Sequence, residues 1–123
     1  MKKSLFTAAF ILSTLCLHAA DITMISKAFS AGNATPLAAN MDTEIDLALQ
    51  DKAQKANAAE AVAQLNRFFE ANKPTAFTVA HNADKNETGF LVGKLATGKG
   101  EFRVNITYIM NDDNIIIQSI RIE

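Results

Sequence analysis

The stretch "GFLVGKLATGKGEFRVNITYIM", residues 89–110, decides how this chain folds. Residues 89–97 and 101–111 read as two strands joined at "TGKG". A two-residue turn at Gly98-Lys99, or a four-residue version around it, sets Leu95 opposite Phe102, Gly93 opposite Val104 and Leu91 opposite Ile106. One face of the hairpin is then apolar. A three-residue turn would instead set Leu95 against Arg103 and Lys94 against Val104, mixing core and solvent faces, so that register is rejected. Along the second strand Phe102, Val104, Ile106, Tyr108 and Met110 share the buried face, and Arg103, Asn105 and Thr107 take the other.

Residues 76–83 and 114–122 read as strands on either side of this hairpin. The last one breaks its own alternation, since Ile115 and Ile117 have one parity and Ile120 and Ile122 the other. An extra residue near Gln118 and Ser119 returns all four to one face, and such a bulge bends a sheet, which predicts curvature. Upstream, "NAAEAVAQLNRFFEANKP" (57–74) predicts an amphipathic helix. Asn57 and Glu60 form a capping box, Val62, Leu65, Phe68 and Phe69 make the apolar stripe, and Pro74 forces the end. Leu65, Phe69, Phe102, Val104 and Ile106 are the expected centre of the helix-on-sheet core. Further upstream, Ile45, Leu47 and Leu49 alternate as in a half-buried strand. "DITMISKAFSAGN" (21–33) predicts a short helix burying Ile22, Ile25, Ala28 and Phe29, with Gly32 as its stop. "ATPLAAN" (34–40) adds a further helical turn with Thr35 as cap and Pro36 at its first position.

The first twenty residues carry an export pattern: basic Lys2 and Lys3, an apolar run from Leu5 to Leu17, and small residues at Ala19 and Ala20. The expected domains are therefore a signal peptide, 1–20, and a single folded unit, 21–123, destined for the periplasm or for secretion. Cys16 follows Leu15, a poor context for lipidation, so cleavage near Asp21 is the preferred processing. Removing Lys2 and Lys3 from 12 basic and 13 acidic residues leaves a net charge of about −3. Nucleic acid and anionic membrane surfaces ask for a basic stripe, so neither is an expected partner. Without Cys16 the processed chain has no cysteine, and its core must hold it together without disulfides.

The order of elements resembles the cone-shaped α+β fold of the nuclear transport factor 2-like superfamily, which includes ketosteroid isomerases, polyketide cyclases and non-catalytic binding modules. The chain is more closely similar to a family of small exported bacterial proteins described as a domain of unknown function. "AGNATPLAANM", "AEAVAQLNRFFEANKP", "FTVAH", "GFLVGKLATGKGEFRVNI" and "IQSIRIE" carry that resemblance. It implies N-terminal helices and one long amphipathic helix packed on a curved, mostly antiparallel sheet. It implies no activity, because one fold hosts many functions.

Candidate site residues are those whose parity could bring them into the cone. His81 shares parity with Phe77 and Val79 and is expected at the sheet rim, with its ring partly buried and one nitrogen bonded. Tyr108 points inward from another strand, and imidazole with phenol is a pair that can transfer protons. Phe68 and Phe102 could line an apolar pocket, although aromatics at such positions usually fill a core. The candidate ligand-binding set is therefore His81, Tyr108, Phe68 and Phe102, and no catalytic residue is assigned. Asp84, Asp112 and Asp113 fall in expected turns, and Asp46 faces away from its strand's apolar side. One histidine without cysteine or a patterned acidic cluster suggests no metal site, and no cofactor motif is present. Gly89 and Gly93 lack phosphate-loop spacing and mark places where a sheet bends or a helix packs closely. Arg67 and Arg103 read as solvated, and the triplets at Asn33, Asn86 and Asn105 as chance matches to a glycosylation signal.

The expected function is a non-catalytic binding module for a small apolar ligand in the cone or a protein partner on the sheet, including a homodimer through the sheet. The alternative is a small cone-fold enzyme of the isomerase, dehydratase or cyclase type using His81 and Tyr108. A filled interior favours the sheet, whereas an open cavity holding both polar groups favours catalysis.

Overall fold

The computed structural model describes residues 22–112 and 114–123. The export segment, Asp21 and Asp113 lie outside the described residues. Helix α1 (Thr23–Ala31) buries Ile25, Ala28 and Phe29 and ends where Gly32 turns left-handed at φ +67°, its N–H reaching the carbonyls of Ala28 and Phe29. The next turn, Thr35–Asn40, is a 3-10 helix with Ala34 at its cap, so Thr35 lies inside the turn and does not cap it. The Ala34 N–H donates to Asn66 Oδ1 at 2.7 Å, and this bond ties the turn to the long helix.

That long helix, α2 (Ala58–Ala71), starts as its sequence dictates. Glu60 N–H donates to Asn57 Oδ1 at 2.9 Å and Asn57 N–H donates to Glu60 Oε1 at 3.2 Å, which satisfies two amides that a helix start leaves free. Its buried stripe is Ala61, Leu65, Phe68 and Phe69, with Val62 at the margin of the core.

Six strands form one open sheet in the order β2-β1-β6-β5-β4-β3. They are β1 (Met41–Leu49), β2 (Lys52–Ala56), β3 (Pro74–Lys85), β4 (Thr88–Thr97), β5 (Gly100–Asn111) and β6 (Asn114–Ile122). Every pairing is antiparallel except β1 with β6. Strand β2 has no counterpart in the sequence reading. It folds back on β1 after a left-handed Gln50 at φ 56°, and only Ala56 of its five residues is buried.

The register expected for β4 and β5 is the one observed: Leu95 faces Phe102, Gly93 faces Val104, Leu91 faces Ile106, and Thr97 and Gly100 close the two-residue turn. The expected irregularity in β6 is also present. Thr107 pairs with Ser119 and Tyr108 with Ile117, leaving Gln118 as the extra residue. Ile115, Ile117, Ile120 and Ile122 consequently all lie on the helix side, each at most 4% exposed. Burying four isoleucines outweighs the interrupted ladder, since each is worth about 1.5–3 kcal/mol.

Strand β3 carries a second irregularity. Val79 pairs with Gly93 but His81 pairs with Val92, so Ala80 is the extra residue and parity inverts beyond it. The helices cover one face of the sheet, where Phe29 stacks on Phe77 at 5.1 Å and meets Phe69 edge-on at 5.5 Å. Leu65, Phe69, Val104 and Ile106 are at most 2% exposed, and Phe102 packs against them from the margin.

Candidate functional site

The bulge at Ala80 decides which side chains of β3 meet the interior. His81 falls on the outer face opposite Val92, is exposed, and rests its ring on Phe90 at 5.3 Å between centroids. This corrects the expected inward rim position, because alternation from Phe77 and Val79 does not survive the extra residue. Asn82 takes the inward place opposite buried Leu91. Asp84 follows opposite Gly89 within β3, not in a turn.

Tyr108 arrives from β5 with a buried ring, 1% exposed. Its hydroxyl bonds to Asp84 Oδ1, and Asn82 Nδ2 donates to the same hydroxyl at 2.9 Å and to the Phe90 carbonyl at 2.8 Å. Burial first, and then the bond to Asp84, push the phenol up to about 12. Tyr108 is therefore a neutral donor at ordinary pH, and the carboxylate accepts its proton in a hydrogen bond without removing it. Gly89 makes the arrangement possible. A Cβ there would lie 2.5 Å from the Tyr108 ring and 2.6 Å from Asp84 Oδ1. Gly89, expected where the sheet bends or a helix packs closely, makes room instead for Tyr108 and Asp84 of the neighbouring strands; Asn82 and Asp84 are not evident in the sequence because nothing apolar after Val79 fixes the strand's parity.

Phe68 and Phe102 meet each other edge-on at 5.1 Å between α2 and β5. Six residues along one strand separate Phe102 from Tyr108, about 20 Å. His81 is on the opposite face of the sheet. The four candidates thus occupy three places: the aromatic contact under α2, the polar cluster at Tyr108, and the outer face at His81.

That outer face holds Phe90, the most exposed large apolar side chain among the described residues at 39%, with half-buried Val92, Ile109 and Ile116 on the same face. Beside Phe90 lies a cleft of about 470 Å³, open to solvent, bordered by Ala83, Thr107, Ile109 and Gln118 and also by Asp84, Gly89 and Tyr108 of the polar cluster. Gln118 Nε2 donates to Asp42 Oδ2 at 2.7 Å, anchoring the β6 bulge to β1. That bond, followed by the Thr43 amide, holds the Asp42 carboxyl below its usual value. Asp46 points outward as expected and pairs with Lys55 at 2.8 Å, both exposed. Among the described residues no cluster of three or more His, Cys, Asp and Glu side chains could hold a metal ion, and no helix is long and apolar enough to cross a membrane.

No curated protein sequence matches the chain. Solved structures of DUF4783 proteins are similar across most of their length. The one from Bacteroides uniformis is 32% identical, with 82% of this chain and 94% of that chain aligned at a TM-score of 0.77. The one from Bacteroides ovatus is 31% identical, over 80% and 90% of the two chains, at a TM-score of 0.75. A structure described as a putative polyketide cyclase from Sinorhizobium meliloti, 9% identical over 83% and 92% of the two chains at a TM-score of 0.62, shares the fold alone. The fold is nuclear transport factor 2-like, related to structures described as cystatin-like. With residues 22–123 matching the family model described as "Domain of unknown function (DUF4783)", the chain belongs to that family.

Proposed function

We propose that this chain is a non-catalytic binding module that takes a protein partner on the outer face of its sheet, acting outside the cytoplasm once residues 1–20 are removed. The contrast between the two faces carries this reading. The inner face is occupied by the protein's own side chains: Phe29, Leu65, Leu91, Leu95, Ile106, Tyr108, Ile117 and Ile120 are at most 1% exposed. The outer face instead leaves Phe90, Val92, Ile109 and Ile116 half-covered around an open cleft. Apolar side chains grouped on a surface beside a cleft suit a partner's protruding side chain. The enzymatic alternative loses its pair, because the sheet separates His81 from Tyr108. The Tyr108 proton is already engaged by Asp84.

Photo-crosslinking tests the reading. A photoreactive side chain at Val92 or Ile116 should trap one discrete protein in cells of the native host, and Phe90→Asp should abolish the adduct while leaving the chain folded. A probe at exposed Lys27 on the helix side should trap none. A small molecule retained by the purified protein, with no adduct from either outer position, would overturn it.

A further inference from the structure

The two free edges of the sheet are unlike each other. Strand β2 has five residues, including Lys52 and Lys55, and short charged edges resist pairing with another chain. Strand β3 has twelve residues, and its stretch Pro74–Ala83 carries no acidic or cationic Lys or Arg side chain. The core is also uncovered along this flank. Phe77 and Val79 point towards the helices and yet are only half-buried, whereas Leu91, Leu95, Val104 and Ile106 on the inner strands are fully buried. An additional strand beside β3 would satisfy its outward backbone groups and cover those two side chains.

We propose that β3 pairs antiparallel with β3 of a second copy, centred on Phe77 within the regular run Ala76–Val79. The β3–β4 ladder is irregular at Thr75 and again at Ala80, so these two positions bound the regular run Ala76–Val79 and set the length of the pairing. Pairing about a two-fold axis at Phe77 puts Phe77 opposite the partner's Phe77 and Ala76 opposite the partner's Thr78. No like charges meet. The same operation on β2, about Gln54, would set Lys52 opposite Ala56 and Lys55 opposite Ala53; that edge is disfavoured instead by its shortness and by two lysines in five residues. The contact involves an edge of the sheet and not the outer face, so it stands or falls separately from the partner surface around Phe90.

The full chain without residues 1–20 should dimerise reversibly between about 10 μM and about 1 mM, a weak association suited to a short paired run. Sedimentation equilibrium measures this, and amide exchange at 76–79 should slow as concentration rises. The double variant Ala76→Lys, Thr78→Lys places ammonium groups opposite one another twice and should weaken dimerisation about tenfold or more. Ala76→Glu, Thr78→Lys places opposite charges in the same two positions and should restore it, with a loss at high salt. Phe90→Asp should leave dimerisation unchanged. A chain that stays monomeric to about 1 mM, or two charge variants that behave alike, overturns the proposal.

Discussion

Replacing Gly89 by alanine tests the polar cluster from its tightest point. The new Cβ would sit 2.5 Å from Cε1 and Cζ of Tyr108, where ordinary contact begins at 3.4 Å, so the ring must yield by about 0.9 Å. Asp84 can swing aside towards solvent. The Tyr108 ring is buried and its hydroxyl is held by Asn82 and Asp84, so it cannot move without breaking a bond. Overpacking of this kind costs about 1–3 kcal/mol, and losing a hydrogen bond to a carboxylate adds about 1.5–3 kcal/mol. Alanine's smaller backbone entropy in a strand returns about 0.5–1 kcal/mol. These contributions overlap, and the expected net loss is about 2–4 kcal/mol. Urea denaturation gives the stability. Absorbance gives an independent readout, because Tyr108 is the only tyrosine and there is no tryptophan. Its phenolate should form at lower pH in the variant. Gly98→Ala is the control, since nothing lies within 4 Å of its Cβ. A Gly89→Ala protein within about 0.5 kcal/mol of the parent, with an unchanged phenolate titration, would refute the account.

Exposed His81 should tolerate alanine, with a change below about 0.5 kcal/mol. Asn82→Ala removes a donor from both Tyr108 and the Phe90 carbonyl and should cost about 1–3 kcal/mol; denaturation curves that reverse this ranking would return His81 to the interior. The Tyr108 phenol is raised in the fold from about 10 to about 12, so its contribution is complete below about pH 10 and is lost as pH climbs towards 12. The parent should therefore fall by up to about 3 kcal/mol more than Tyr108→Phe across that window, and parallel stability profiles would exclude the linkage. Intact mass of the exported protein should correspond to a start at or near Asp21, and a lipidated start at Cys16 would contradict this processing.

What the sequence made legible was whatever large apolar residues mark. The β4–β5 register could be read because one slipped residue would expose Leu95 and bury Lys94. The β6 bulge could be read because four isoleucines straddle it. In β3 the residues after Val79 are Ala, His, Asn, Ala and Asp, which fit either face, so the inverted parity left no hydrophobic trace and the polar cluster was assigned to the wrong partner. Strand β2, "KAQKA", is almost wholly exposed and held by backbone pairing to β1, an interaction that has no side-chain pattern. The 3-10 turn after α1 lies where expected but is not capped by Thr35: Asn33 Oδ1 accepts from the Thr35 amide, and Asn66, thirty-two positions from Ala34, accepts from the Ala34 amide.

Ala80 makes the composition of the interior depend on counting. Because Ala80 is the extra residue, deleting it would leave His81 opposite Val92 on the outer face and Asn82 and Asp84 inward; keeping it but pairing it with Val92 in an unbulged ladder would turn the imidazole of His81 inward and send Asn82 and Asp84 to the outer face, with every functional group still present in the chain. Tyr108 would then face a histidine in place of an amide and a carboxylate. The bulge thus absorbs a length change without altering the interior, so related chains that lack its extra residue should present the same groups to Tyr108, whereas chains that keep the length but pair without a bulge should present different ones.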